Sequence, residues 1–147
     1  MATPSLRDKA LALLARREHS RAELRRKLGT DENRDELDAV LDELVERGWQ
    51  SDLRFATAYV STYAQRFGRY RLEAELRERG VADADISLAF ESQEDLDGEL
   101  QRAREVWQKK FATPPADVAE RAKHARFLQT RGFAYDVIRK VLGGLDD

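Results

Sequence analysis

The sequence contains no cysteine. That excludes disulfide staples, thiolate zinc sites and thiol catalysis. Histidine is scarce. His19 and His124 lie far apart, and neither has a second histidine at i+3 or i+4, so no metal site is expected. His124 is expected to be a partly buried repeat residue and His19 a surface or packing residue. No apolar run approaches the roughly 20 residues needed to cross a bilayer. Met1 to Leu6 lacks a long apolar core before a small-residue cleavage site, so no secretory signal is expected and the cytoplasm is the expected compartment. There is no glycine-rich phosphate loop ending in Lys-Ser/Thr and no Gly-x-Ser-x-Gly elbow. No catalytic residue and no cofactor is expected. Segments rich in Val, Ile and Thr at period two are also missing. The nearest case, Thr57 to Thr62, lies inside a run with helical spacing at Phe55, Tyr59 and Tyr63.

What remains is rich in Ala, Leu, Glu and Arg, with only 3 Pro and 8 Gly. That composition reads as all-α. Ser20-Arg21-Ala22-Glu23 has the spacing of a capping box, and Asn33 with Glu36 resembles it. Ser51, Asp83 and Thr113 are further N-cap positions, with Pro114 following Thr113. Gly29, Gly48, Gly68, Gly80 and Gly132 are placed as left-handed helix stops. The predicted helices are 5–17, 20–28, 34–47, 52–67, 69–79, 84–91, 94–111, 115–130 and 134–143.

The helices fall into three groups of three. A shift of 48 places Leu24 on Leu72, Leu28 on Leu76 and Leu11 on Tyr59. A further shift of 52 places Leu76 on Leu128, Gly80 on Gly132, Val81 on Phe133, Ile86 on Ile138 and Phe90 on Leu142. Arg79-Gly80-Val81 and Arg131-Gly132-Phe133 are the same punctuation twice. A period near 50 residues signals stacked supersecondary units. The expected fold is therefore three tandem three-helix repeats, 1–50, 51–92 and 93–147, in an elongated, curved array. Each unit is too small to bury much alone, so Trp49, Phe55, Phe90 and Trp107 are expected to pack between neighbours. Tyr59, Tyr63, Trp107, Phe111 and Phe127 recur at helical spacing and are assigned to the core rather than to a base-stacking platform.

A net charge of −2 hides strong segregation. Arg7 to Lys27 holds eight bases against three acids, whereas Thr30 to Glu46 holds one base against eight acids. One reading is a solvated, internally paired surface. The other is an oriented surface with one side for a polyanion or acidic groove. In a helix-turn-helix reading the third helix would enter the major groove. Here that helix carries Asp35, Glu36, Asp38, Asp42, Glu43 and Glu46, which phosphates would repel. A direct DNA-binding module or transcription factor is therefore the alternative rather than the leading reading, and a bare helical scaffold is a third. Basic residues gather around the second helices. Arg21, Arg69 and Arg121 occupy equivalent repeat positions; Arg16, Arg17, Arg25, Arg26 and Lys27 extend the patch on the first unit; Lys123 and Arg126, with Lys109 and Lys110, form another. These ten residues (Arg16, Arg17, Arg21, Arg25, Arg26, Lys27, Arg69, Arg121, Lys123 and Arg126) are the candidate partner-binding or DNA-binding set.

Several ordered segments carry a family resemblance. They are Ala10 to Leu28, Arg54 to Val60, Gly68-Arg69-Tyr70-Arg71-Leu72 with Glu75-Leu76, Arg79-Gly80-Val81, Arg126-Phe127-Leu128 and Arg131-Gly132-Phe133. In this order and spacing they resemble the RecX family, small bacterial regulators of the RecA recombinase, over about residues 6 to 142. One departure is Tyr70, where family members often have Pro. The resemblance implies tandem three-helix repeats and a monomer without catalytic residues or cofactor. It also implies binding to RecA, including RecA filaments on single-stranded DNA, with ATPase, strand-exchange and co-protease activities falling as a consequence. Recombination, DNA repair and the SOS response are the processes affected. The near-zero net charge leaves at most weak direct DNA contact.

Overall fold

The computed structural model describes residues 3–91 and 96–143. Among these residues there are nine helices and no strand: α1 Leu6–Arg16, α2 Arg21–Leu28, α3 Arg34–Glu46, α4 Asp52–Tyr63, α5 Arg69–Glu78, α6 Asp83–Glu91, α7 Leu96–Lys110, α8 Val118–Thr130 and α9 Tyr135–Leu142. The fold is all-α, as the composition and periodicity predict. Residues 94 and 95, where the seventh helix is predicted to begin, lie outside the described residues.

Several predicted boundaries move, each for a local reason. Thr113 is not the cap of α8. Asp117 is, its carboxylate accepting from the Glu120 N–H, so the helix starts at Val118, beyond Pro114 and Pro115. Asp83 is already inside α6, and the Ala82 carbonyl receives the first bond, from Ile86 at 3.0 Å. Asn33 precedes α3 but makes no side-chain cap. Its Oδ1 accepts from Thr30 N–H at 2.8 Å and its Nδ2 donates to the Leu28 carbonyl at 2.9 Å, so it ties the turn backward instead. Gly29 closes α2 in an extended conformation with φ −78°, not a left-handed one. Gly68 precedes a helix rather than ending one, because α4 stops at Tyr63.

The described residues form two compact units. The first is drawn from Met1–Tyr59 with Leu76–Ser92, the second from Val60–Glu75 with Gln93–Asp147. In the first, α1, α2 and α3 pack pairwise around Ala10, Leu24, Leu37, Leu41 and Leu44. In the second, α9 packs on both α7 and α8 around Ala103, Val106, Leu128, Phe133, Ile138 and Val141. Each fully buried leucine contributes about 1.5–3 kcal/mol relative to an exposed one. The middle repeat is shared: Phe55, Ala56, Leu76, Val81, Ile86 and Phe90 are buried residues of the first unit, and Val60, Ala64 and Leu72 of the second. Compact units and sequence repeats thus divide the chain differently. Trp49 departs from its expected packing role. It is 42% exposed, with the guanidinium groups of Arg7 and Arg47 5.4 and 5.1 Å from its ring centroid.

The reason for the sharing is a junction that occurs once in each unit. In the first, the cap residue of α2, Ser20, donates its hydroxyl to the Arg79 carbonyl at 2.7 Å. In the second, the residue preceding α5, Gly68, donates its N–H to the Arg131 carbonyl at 2.8 Å. Ser20 and Gly68 are equivalent by the shift of 48, and Arg79 and Arg131 by the shift of 52. The second helices of the first two repeats, α2 and α5, therefore each start against the Arg-Gly turn of the following repeat. Both turn glycines have positive φ, +81° at Gly80 and +94° at Gly132. A Cβ on Gly80 would lie 2.4 Å from the Ala22 Cβ, and one on Gly132 2.3 Å from the Arg71 Cβ. The approach at Gly68 is to backbone, where a Cβ would meet the Gly132 carbonyl oxygen at 2.4 Å. Tyr70 adds a bond that Pro could not make, its N–H donating to the Gly132 carbonyl at 3.2 Å.

Candidate functional site

The basic surface of the first unit starts from the cap of α2. Ser20 is fully buried, and its Oγ accepts from the Glu23 N–H while the Glu23 carboxylate accepts from the Ser20 N–H, each at 3.0 Å. Burial disfavours the charged form of Glu23, but the Ser20 N–H and the Arg17 guanidinium outweigh it, so its carboxyl lies below the usual range. This rigid start sets the direction of the α2 arginines. Arg21 reaches Asp42 at 2.7 Å and Arg25 reaches Asp38 at 2.7 Å, both on α3. The Arg21 N–H donates to Asp52 at 2.9 Å. The segregated charges of α2 and α3 are thus in part neutralised within one repeat. Arg7 on α1 likewise meets Glu43 on α3 at 2.9 Å and, as the leading cause, lowers its pKa.

The other predicted residues of this unit behave differently. Arg16, Arg17 and Lys27 line a small groove with Leu13 and His19. Arg17 donates to the Glu18 carbonyl at 2.8 Å and lies 3.4 Å from Glu23. Arg26 is exposed and donates to the Glu78 carbonyl at 3.4 Å. His19 is buried, 2% exposed. Its Nδ1 donates to the Arg17 carbonyl at 3.0 Å and its Nε2 accepts from Lys27 at 3.2 Å. Acceptance at Nε2 needs the neutral ring. Burial is the largest cause lowering its pKa, and the neighbouring Arg17 and Lys27 charges add to it, against the favourable Arg17 carbonyl.

In the second unit Arg69 pairs with Glu73 at 2.6 Å, and its N–H donates to Glu99 at 3.2 Å. Arg121, one turn into α8, donates to the Gly143 carbonyl at 3.3 Å. Lys123 and Arg126 are exposed on α8. Lys110 sits 5.9 Å from the Phe127 ring centroid. His124, in the repeat position of Leu24 and Leu72, is buried in an aromatic cluster. Phe111 stacks on it at 3.6 Å and 13°, and the Trp107 indole N–H donates to its Nδ1 at 2.9 Å. Burial lowers its pKa most, with Lys123 contributing against Glu120. Of the ten predicted residues, Arg16, Arg17 and Lys27 share one groove of the first unit, whereas Arg21 and Arg25 are engaged by carboxylates of α3.

Sequence reasoning missed a larger feature of the second unit. A groove of about 600 Å³ is lined by Arg121, Arg139, Tyr70 and Tyr135, with Phe133 and Ile138 beneath. Its apolar residues read as core in the sequence, and only a position-by-position comparison of the repeats singles them out. No helix among the described residues is long and apolar enough to cross a membrane.

Comparison with known proteins agrees with this architecture. The family models for the first, second and third three-helix domains of RecX match residues 7–44, 51–89 and 97–142. A regulatory protein RecX of Chromobacterium violaceum is 50% identical over 145 residues, covering 97% of this chain and 93% of that protein. One of Ralstonia nicotianae is 44% identical over 146 residues, covering 97% and 89%. The crystal structure of RecX from Lactobacillus salivarius shares the fold, with a TM-score of 0.81 over 96% of this chain and 94% of that chain at 23% identity. With its three three-helix domains matched in order and such relatives over nearly its full length, the chain belongs to the RecX family of regulatory proteins.

Proposed function

We propose that this protein binds the RecA recombinase, chiefly as filaments on single-stranded DNA, and restrains its ATPase, strand-exchange and co-protease activities. It does so without catalytic chemistry or a cofactor of its own, as a cytoplasmic monomer, and thereby modulates recombination, DNA repair and the SOS response. The observation that carries this reading is the match of all three RecX domains in order across residues 7–142. Repeated units suit a partner that is itself a repeating assembly. Among the predicted residues, Arg16, Arg26 and Lys27 are the stronger contacts for such a partner, because Arg21 and Arg25 already hold Asp42 and Asp38. Direct DNA binding is secondary, since duplex affinity rests on neutralising many phosphates and the net charge is −2.

The test is RecA ATPase on single-stranded DNA with sub-stoichiometric protein added. The expected outcome is a progressive fall in rate, weakened several-fold when Arg16, Arg26 and Lys27 are reversed to Glu while the helical circular dichroism signal is unchanged. A flat response to the wild-type protein across a wide titration defeats the proposal. Tight, sequence-selective duplex binding without RecA at physiological salt would favour the DNA-binding reading instead.

A further inference from the structure

We propose that the second unit carries a binding surface for single-stranded nucleic acid, built from cations interleaved with the rings of Phe67 and Phe127. Three guanidinium groups surround Phe67: those of Arg71, Arg131 and Arg66 lie 4.0, 5.4 and 5.9 Å from its ring centroid. Arg131 also lies 5.2 Å from the centroid of Phe127, and Lys110 approaches that same ring at 5.9 Å. One guanidinium thus bridges two rings. Arg66 continues the row toward Tyr63, 5.6 Å from its centroid. Lys123 stands one turn before Phe127 on the same face of α8. All of these residues belong to one compact unit.

Most of this charge is not neutralised. Among the described residues Arg66, Arg131, Lys110 and Lys123 form no ion pair, and Arg71 has Glu75 at 3.7 Å. Three like charges around one ring repel one another. The ring quadrupole offsets that only in part, so the surface favours an anion. Phe67 is half-buried, as is Phe127, which packs against the core of the unit. Arg66, Lys110 and Lys123 are exposed, which leaves the cations open to a ligand.

Charge complementarity together with the interleaved planes selects the occupant. A single strand supplies phosphates and unstacked bases in alternation. Proteins that hold one combine a cationic track with aromatic and guanidinium planes. An exposed guanidinium such as that of Arg66 offers a base its planar face as well as its charge. An acidic peptide would use the charges and leave the planes idle. A duplex keeps its bases in the stack, and its affinity rests on phosphate contacts alone. A local surface of this kind is compatible with a net charge of −2. It goes beyond the RecA reading, since strand binding here requires no recombinase.

The test measures fluorescence anisotropy of a labelled oligothymidylate of about 20 nucleotides with the full-length protein, at low salt and without RecA. Saturable binding is expected. Log affinity should fall against log salt with a slope of about −3, the value for four or five phosphate contacts to a single strand. A duplex of the same length should bind several-fold more weakly. Arg66→Glu and Lys110→Glu should each weaken strand binding by about tenfold. Phe67→Leu keeps every charge and should weaken it by about fivefold through lost stacking. Circular dichroism checks that each variant folds, and exposed Arg66 and Lys110 carry the test if Phe67→Leu does not. Four results each overturn the proposal. They are no saturable binding up to about 100 µM protein, equal binding by wild type and the folded variants, a duplex bound as tightly as the strand, or a polyglutamate peptide bound more tightly than the strand and released by the same variants. The last would assign the surface to an acidic protein partner. The RecA ATPase response is a separate readout, so failure of either experiment leaves the other standing.

Discussion

Gly48 and Gly132 share a positive φ, +75° and +94°, but an added methyl meets different surroundings at each. Nothing lies within 4 Å of a Cβ on Gly48, whereas one on Gly132 would lie 2.3 Å from the Arg71 Cβ and 2.7 Å from its N. Gly48→Ala is therefore expected to cost about 1 kcal/mol, from backbone strain alone. Gly132→Ala adds overpacking and is expected to cost about 2–4 kcal/mol. Urea unfolding midpoints of the two variants check the difference. The histidines make a second prediction at this scale. Burial holds both His19 and His124 below the ordinary value of 6.5, so the folded state binds a proton less readily than the unfolded chain. Stability is full above pH about 6.5 and falls as the pH drops below it. Protonating His124 also removes the acceptor of the Trp107 indole N–H. Thermal midpoints should decline on the acid side of neutrality, and His124→Phe should decline less. An acid-insensitive midpoint in the wild type would refute the assignment of neutral rings.

At the scale of the helices, the pairing of α2 with α3 explains why a chain of nearly zero net charge is so strongly segregated. Arg25 and Asp38 are half exposed, so their ion pair is worth only about 0.5 kcal/mol after solvent screening. Arg25→Glu is expected to lower stability by about that amount, and Arg25→Glu with Asp38→Arg to restore it, measured by urea unfolding in low salt. High salt should shrink both effects. Much of this level was legible in the sequence. The Ser20–Glu23 capping box and the Arg-Gly-Val and Arg-Gly-Phe turns are local, and local chemistry fixes them. Gly68 was misread as a stop because its role is set by the Gly132 carbonyl, 64 residues further along the chain. The bonds from Arg21 to Asp42 and from Arg25 to Asp38 likewise need tertiary contact, so the basic stretch read as more open than it is. The groove near Arg139 escaped because buried Phe133 and Ile138 carry the same periodic signal whether or not a cavity lies over them.

For the whole molecule, the two compact units predict how the chain opens. Val60–Glu75 belongs with the third repeat's helices and Leu76–Ser92 with the first repeat's. Hydrogen exchange in low denaturant should therefore group the amides of Val60 to Glu75 with those of α7, α8 and α9, and the amides of α6 with those of α1, α2 and α3. Exchange that instead follows the sequence repeats, with all of α4, α5 and α6 moving together, would contradict that grouping. Gly132→Ala should accelerate the second group first, because the strained contact with Arg71 lies inside that unit.

The paired junctions also bear on how such a chain gains or loses length. Ser20 provides a socket only, and the Arg131-Gly132 turn a plug only, whereas the middle segment carries both halves, a socket at Gly68 and a plug at Arg79-Gly80. A tandem duplication of the middle segment would bring a matched plug and socket with it, while loss of either end would strip one half from its mate. Growth from the centre is the route this geometry leaves open, and a four-module chain made that way is the form in which an engineer would lengthen it.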